Sequence, residues 1–280
     1  MRIMILDFCK PLLSKKTGGY IALTLLVSWI IEGFIIYRGG FNNVSIVWIV
    51  VLMWTPGIIG LLFRFIYRDW VDFPIKIAGF KWWIFVLMLS FILTGIPFFI
   101  SWISGVNGFT LYDFSDSRWF DIGGVWLALA IMIPSRIIIQ SLFGLGEELG
   151  WQGYLVPKLI EHGAKRPFLT QAIIWSLWHS PLLLFGGYAV ANSSWMIVSV
   201  ISYWFMISSL GMMISRITQK TQSVWLAAFF HGSHNFFIQQ WWPMWTVAGG
   251  LNWLVTGEAA IITAIIFLIS TFFIPRYIKN

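Results

Sequence analysis

Residues 122–159 read IGGVWLALAIMIPSRIIIQSLFGLGEELGWQGYLVPKL. About 20 apolar residues suffice to cross a bilayer, and this run is longer than that, yet it carries two adjacent carboxylates, Glu147 and Glu148. An ionisable group at membrane depth costs about 2.5–3.5 kcal/mol even on lenient scales, so its presence marks a functional position by default. The surrounding chain has the same character. It is 59% hydrophobic and 19% aromatic, with only 10% charged residues, and its mean hydropathy is +0.81. A soluble core of 280 residues cannot hide that much apolar surface. The expected fold class is all-α, a polytopic membrane protein.

Eight transmembrane helices are expected, near 20–37, 43–66, 82–104, 122–145 with a polar extension to 160, 168–187, 195–215, 222–241 and 252–275. The connections differ sharply in charge. Arg2, Lys10, Lys15 and Lys16 precede the first helix, and Arg64, Arg68, Lys76 and Lys81 follow the second. Lys158, Lys165 and Arg166 follow the fourth, Arg216 and Lys220 the sixth, and Arg276 and Lys279 the last. The opposite connections hold Arg38 and Arg118, the latter beside Asp113, Asp116 and Asp121. Fifteen cations against two place both termini in the cytoplasm by the positive-inside rule. The net charge of +7 is spread along the chain rather than gathered on one segment, which argues against a nucleic-acid partner. Residues 1–280 are read as a single transmembrane domain whose motif-bearing core covers about 120–240. Tyr67–Phe80 is too charged to cross and is expected along the cytoplasmic interface, while the polar loop Gly105–Asp121 is expected outside. Cys9 alone excludes a disulfide framework. No cleavage site of small residues follows the basic N-terminus, so the first span is expected to serve as its own targeting signal.

Polar groups recur at one depth. Glu147 lies eleven residues from Lys158, His179 thirteen from Arg166 and His231 eleven from Lys220, roughly 16 to 20 Å at 1.5 Å per helical residue. On the fourth helix Arg136, Gln140, Gly144, Glu147 and Trp151 share a stripe, the expected wall of a polar cavity. Neighbouring residues on a helix diverge by about 100°, so Glu147 and Glu148 cannot both face the histidines; Glu148 shares its face with Gln152 instead. His231 and Asn235 share a face, with His234 beside them.

A carboxylate in such a layer can act as a base that takes a proton from water and returns it to a leaving amine. A second imidazole and a carboxamide can donate to the oxyanion of a tetrahedral intermediate. Hydrolysis of an acyl bond is the reaction class these groups suggest. Glutamate with two histidines is also a ligand set for catalytic zinc, so Glu147, His179 and His231 stand equally as ligands of zinc or another divalent ion, or as a metal-free site.

Three runs carry a resemblance: Glu147-Glu148-Leu149-Gly150-Trp151-Gln152, continuing to Pro157; Trp175-Ser176-Leu177-Trp178-His179; and His231-Gly232-Ser233-His234-Asn235. In order and spacing they resemble the signatures of the CAAX-processing and bacteriocin-immunity family of intramembrane proteases, including the type II CAAX endopeptidases. The resemblance implies an eight-helix membrane endopeptidase acting on a membrane-associated protein or peptide. By it, Glu147 and His179 activate water, His231 and Asn235 form the oxyanion site, and Glu148, His234 and Gln152 support them. It also implies a bacterial plasma-membrane location with the site opening toward the cytoplasm, and it leaves metal dependence open. Trp175 replaces the family's phenylalanine, a change expected to be mild, and Gln152 replaces an arginine that would pair with Glu148. The alternative is a nonproteolytic membrane protein, either a bacteriocin-immunity factor or a transporter, although broken helices in corresponding halves, expected of a transporter, are not evident. Arg136 and Gln140 are weaker candidates for substrate contact, and Glu32 and Glu258 have no nameable partner.

Overall fold

A computed structural model describes residues 14–114, 118–189 and 195–278. Arg2, Cys9, Lys10, Asp116 and Lys279 lie outside the described residues. The long helices are α1 (Lys15–Tyr37), α2 (Ile46–Tyr67), α3 (Phe80–Ile103) and α4 (Arg118–Gly150). A π-helical turn at Trp151–Leu155 leads from α4 into α5 (Val156–Glu161). There follow α6 (Pro167–Trp178), α7 (Ser180–Phe185), α8 (Met196–Thr221) and α9 (Val224–Phe236). A second π turn, Phe237–Trp241, precedes α10 (Trp242–Met244), α11 (Asn252–Val255) and α12 (Ile261–Ile278). The fold is all-α and polytopic. Its one sheet among the described residues is a ribbon pairing β1 (Gly108–Phe109) with β2 (Thr246–Val247) antiparallel.

Six helical segments are long and apolar enough to span a bilayer among the described residues. They correspond to the first six expected spans. The expected seventh is a 13-residue α9 prolonged by the π turn and α10, and the last helix starts at Ile261 rather than 252. Local chemistry explains several ends. Ser14, Ser45 and Ser223 cap α1, α2 and α9 by accepting a bond from a first-turn N–H, and Pro167 opens α6 where no N–H is required. The residues before Val125 bend away because Gly124 takes φ 68°.

Without water between them, membrane helices associate through close packing of small residues. A Cβ on Gly146 of α4 would lie 2.7 Å from the Trp54 Cα and 2.8 Å from the Met53 carbonyl oxygen of α2. A Cβ on Gly232 of α9 would lie 2.3 Å from the Ser141 backbone nitrogen of α4. Helix α4 is thus gripped on two sides. The basic end is tied by charge. Arg64, read as a loop cation, is fully buried in the last turn of α2. It donates to the Gly153 carbonyl at 2.7 Å, the Asp69 carbonyl at 2.6 Å and the Asp72 carboxylate at 2.6 Å. Lys158 is likewise buried, 2.7 Å from Asp69. Residues 68–79 run irregularly beside this clasp with Val71 and Ile77 exposed.

Gly232→Ala is expected to lower detergent stability by about 1–3 kcal/mol through overpacking. Gly33→Ala, where nothing lies within 4 Å, should stay within about 0.5 kcal/mol; thermal unfolding of both variants checks the pair. The Lys158 hydrogen bond holds the Asp69 carboxyl below its ordinary pKa. Its contribution to stability is therefore present above the usual carboxylate range and lost as pH falls through the lowered value. Asp69→Asn should flatten the acid limb of the stability–pH curve.

Candidate active site

Three breaks in helical regularity position the polar groups. His179 sits between α6 and α7 because Pro181 has no N–H for the Leu177 carbonyl and its ring crowds that turn. The acidic pair ends α4 just before the first π turn, and the His231-to-Asn235 run ends α9 just before the second. Such turns insert an extra residue and redirect the following side chains.

Glu147 is 2% exposed. Its Oε2 accepts the Trp175 indole N–H at 2.6 Å and the Trp151 indole N–H at 3.4 Å. His179 donates from Nδ1 to the Trp175 carbonyl at 3.0 Å, and with that nitrogen committed, Nε2 is its acceptor. The His179 ring is enclosed by Trp178, Tyr203 and Tyr188, the last stacked at 6.1 Å and 19°. His231 Nδ1 meets Glu148 Oε1 at 2.9 Å, a bond across the α4–α9 crossing. A Cβ on Gly144 would come within 3.0 Å of the His231 ring, so glycine there keeps the ring in place.

Glu147, His179, His231 and Asn235 line one cavity of about 210 Å³. Gln140 shares the wall; Arg136 instead bonds Gln240 at 3.0 Å on the exposed side. From Glu147 the cavity runs past the two histidines to Phe41 and Ile46, and to Tyr188, Gln239 and Glu258. Those are the connections opposite the basic ones. Toward the basic end the way is filled by Trp151, Tyr20 and Tyr154, none more than 1% exposed, with Tyr20 and Tyr154 rings 4.7 Å apart. Cytoplasmic termini and a cavity opening to the cytoplasm were both expected; the cavity wall reaches residues of the connections opposite the basic ones.

Other expectations change as well. Glu148 was assigned a face away from the histidines, yet it is the acid bonded to His231, because α9 packs on Ser141 and Gly144 and Glu148 follows Gly144 by four residues on the same face. Trp175 is not a mild replacement, since its indole N–H supplies a bond to Glu147 that phenylalanine lacks. His234 turns toward Phe267 and Glu258, with its Nε2 3.8 Å from Glu258. Gln152 is buried in the π turn, and its Oε1 and the Glu148 Oε2 have no protein hydrogen-bond partner. Among the described residues no three His, Cys, Asp or Glu side chains form a metal-ligating group. Glu147 Oε2 is engaged by indoles, while His179 and His231 each commit Nδ1 and keep Nε2 for the cavity, the arrangement by which a carbonyl or carboxylate orients a metal-ligating histidine as well as a metal-free one. Tyr188, Gln239 and Glu258 escaped the motif reading because they lie in connections or a π turn. The lone acid Glu258 near a helix start was the available signal.

Residues 124–237 match the family described as type II CAAX prenyl endopeptidase Rce1-like. Over that segment, two-fifths of its length, the chain is similar to the CAAX protease family. The matched stretch contains all three motifs and lies within the expected core of 120–240. That family is one of proteases, and the six long apolar helices support an integral membrane protein. Its setting is accordingly the lipid bilayer. No curated protein matches the chain.

Breaking the buried Glu148–His231 pair should cost about 3–5 kcal/mol, because one polar partner is left stranded. Glu148→Leu and His231→Leu should each lower the unfolding temperature, and the double variant should fall short of their sum by about 0.5–3 kcal/mol of coupling. Additive losses in this double-mutant cycle would show that the two side chains act independently.

Proposed function

We propose that the chain is an intramembrane endopeptidase in which Glu147 and His179 activate a water molecule and His231 with Asn235 receives the oxyanion. The observation that carries this reading is the convergence of these four residues on one cavity, with Glu147 steadied by two indole N–H groups. Water enters between the Glu147 carboxylate and the acceptor Nε2 of His179, gives up a proton, and attacks the scissile carbonyl carbon. Negative charge then collects on the carbonyl oxygen. The ring of His231, paired with Glu148 as an imidazolium, donates its Nε2–H to that oxygen, and the Asn235 carboxamide supplies a second donor. Collapse of the tetrahedral intermediate breaks the C–N bond, and the proton held by Glu147 passes to the leaving amine. Glu148 thereby becomes a positioning residue for His231.

The charge distribution supports an orientation with both chain ends and the Arg64–Lys158 clasp in the cytoplasm. The scissile bond then reaches Glu147 from the opposite face of the membrane. Its bearer is a membrane-associated polypeptide; nothing in the cavity wall requires a prenyl group.

The test uses purified protein in detergent with a panel of lipid-anchored peptides, cleavage being read by mass spectrometry. Glu147→Ala and His179→Ala are expected to lower turnover by at least about 100-fold, with little change in unfolding temperature. Wild-type turnover in either variant would reject the assignment. Trp175→Phe should reduce kcat about 10-fold with a smaller change in KM, the loss of one hydrogen bond to a charged group. Turnover should survive chelators; stoichiometric zinc lost together with activity would overturn the metal-free reading.

A further inference from the structure

Glu147 and Glu258 are the two carboxylates in the cavity wall. The second has no part in the proposed chemistry. Gly257, at φ 98°, turns the chain between α11 and α12 so that Glu258 faces inward. Its Oε2 accepts the Tyr188 hydroxyl at 3.2 Å, and its Oε1 accepts the Gln239 amide at 3.0 Å. Both donors are neutral. The ion pairs among the described residues bring neither lysine nor arginine to it, and His234 stands at 3.8 Å, beyond hydrogen-bond reach. Glu258 is only 8% exposed, and around it the wall includes Phe41, Ile46 and Leu52. A carboxylate taken out of water into such a surface has imidazoles but no lysine or arginine as basic neighbours among the described residues, and its accessible side is the cavity itself.

We infer that Glu258 is a specificity-determining residue that selects a cationic group, a lysine or arginine side chain or a free amine, on the polypeptide entering the site. The inference rests on the peptidase reading for the identity of its ligand and deepens it. Tyr188 connects the two regions, since its hydroxyl holds Glu258 while its ring stacks on His179. At about 3.3–3.6 Å per extended residue, a cation at Glu258 lies within about two or three residues of the bond presented to His179. The arrangement divides the labour along the cavity: the inner acid handles the proton, and the outer acid reads charge. An anionic residue at the same place on the substrate would meet the Glu258 carboxylate with no lysine or arginine in the cavity wall to offset it.

The test separates recognition from cleavage. Full-length Glu147→Gln protein in detergent, silenced for turnover, is titrated with fluorescent N-acylated hexapeptides carrying lysine, glutamine or glutamate at each position in turn. At one position lysine is expected to bind about 10-fold more tightly than glutamate, the scale of one charge-assisted hydrogen bond. Adding Glu258→Gln should bring the two within about 2-fold, and adding Glu258→Arg should reverse the order. No position favouring lysine, or an unchanged preference in the Glu258→Gln protein, overturns the inference. Equal weakening of all three peptides also overturns it, because that outcome marks a structural role alone. Wild-type protein is run beside these with the same peptides: binding that follows charge without any cleavage would remove the peptidase reading and leave the cation subsite standing.

Discussion

The bond between Glu148 and His231 depends on two helices crossing without side chains between them, and the rest of the site follows from that crossing. Gly232 lays α9 on the backbone of α4, and Gly144 leaves just the space that the His231 ring takes. Lipid offers no hydrophobic force to press the helices together, so shape and polar bonding do it. Once α9 is seated there, His231 reaches Glu148 and Asn235 is carried to the cavity wall. A bulkier residue at either glycine would move both groups at once.

Glu147 is held by a different device. Its carboxylate meets indole N–H groups from its own helix and from α6, donors that are rigid, neutral and wrapped in apolar surface. Below them Trp151, Tyr20 and Tyr154 close the interior, and beneath those the Arg64 and Lys158 ion pairs lock the basic end. The cavity thus has a floor on the basic side of the catalytic layer. Stability is concentrated at one end of the bundle and chemical access at the other. The ribbon of β1 and β2 ties the connections at the access end.

Much of this was legible in residue order. The apolar runs, the alternation of cations and the common depth of Glu147, His179 and His231 required only lengths and helical rise. The family match covers the stretch that holds the three motifs. What failed were statements about partners. Arg64 and Lys158 counted as loop cations, although the first is fully buried and the second nearly so. Trp175 passed as an aromatic wall because a motif comparison sees ring size and not the direction of an N–H. Glu258 drew no partner because Tyr188 and Gln239 lie 70 and 19 residues away.

By itself the sequence determined that the chain is a helical membrane protein with an acid and two imidazoles at one level, since burial cost and helix rise act locally and leave a periodic record. The tertiary structure alone decided that His231 meets Glu148 and His234 approaches Glu258, that an indole steadies Glu147, and that Glu258 shares the cavity wall with them. Those outcomes depend on the angle and closeness of helix crossings and on the π turns that shift side chains around an axis. No count along the chain contains them.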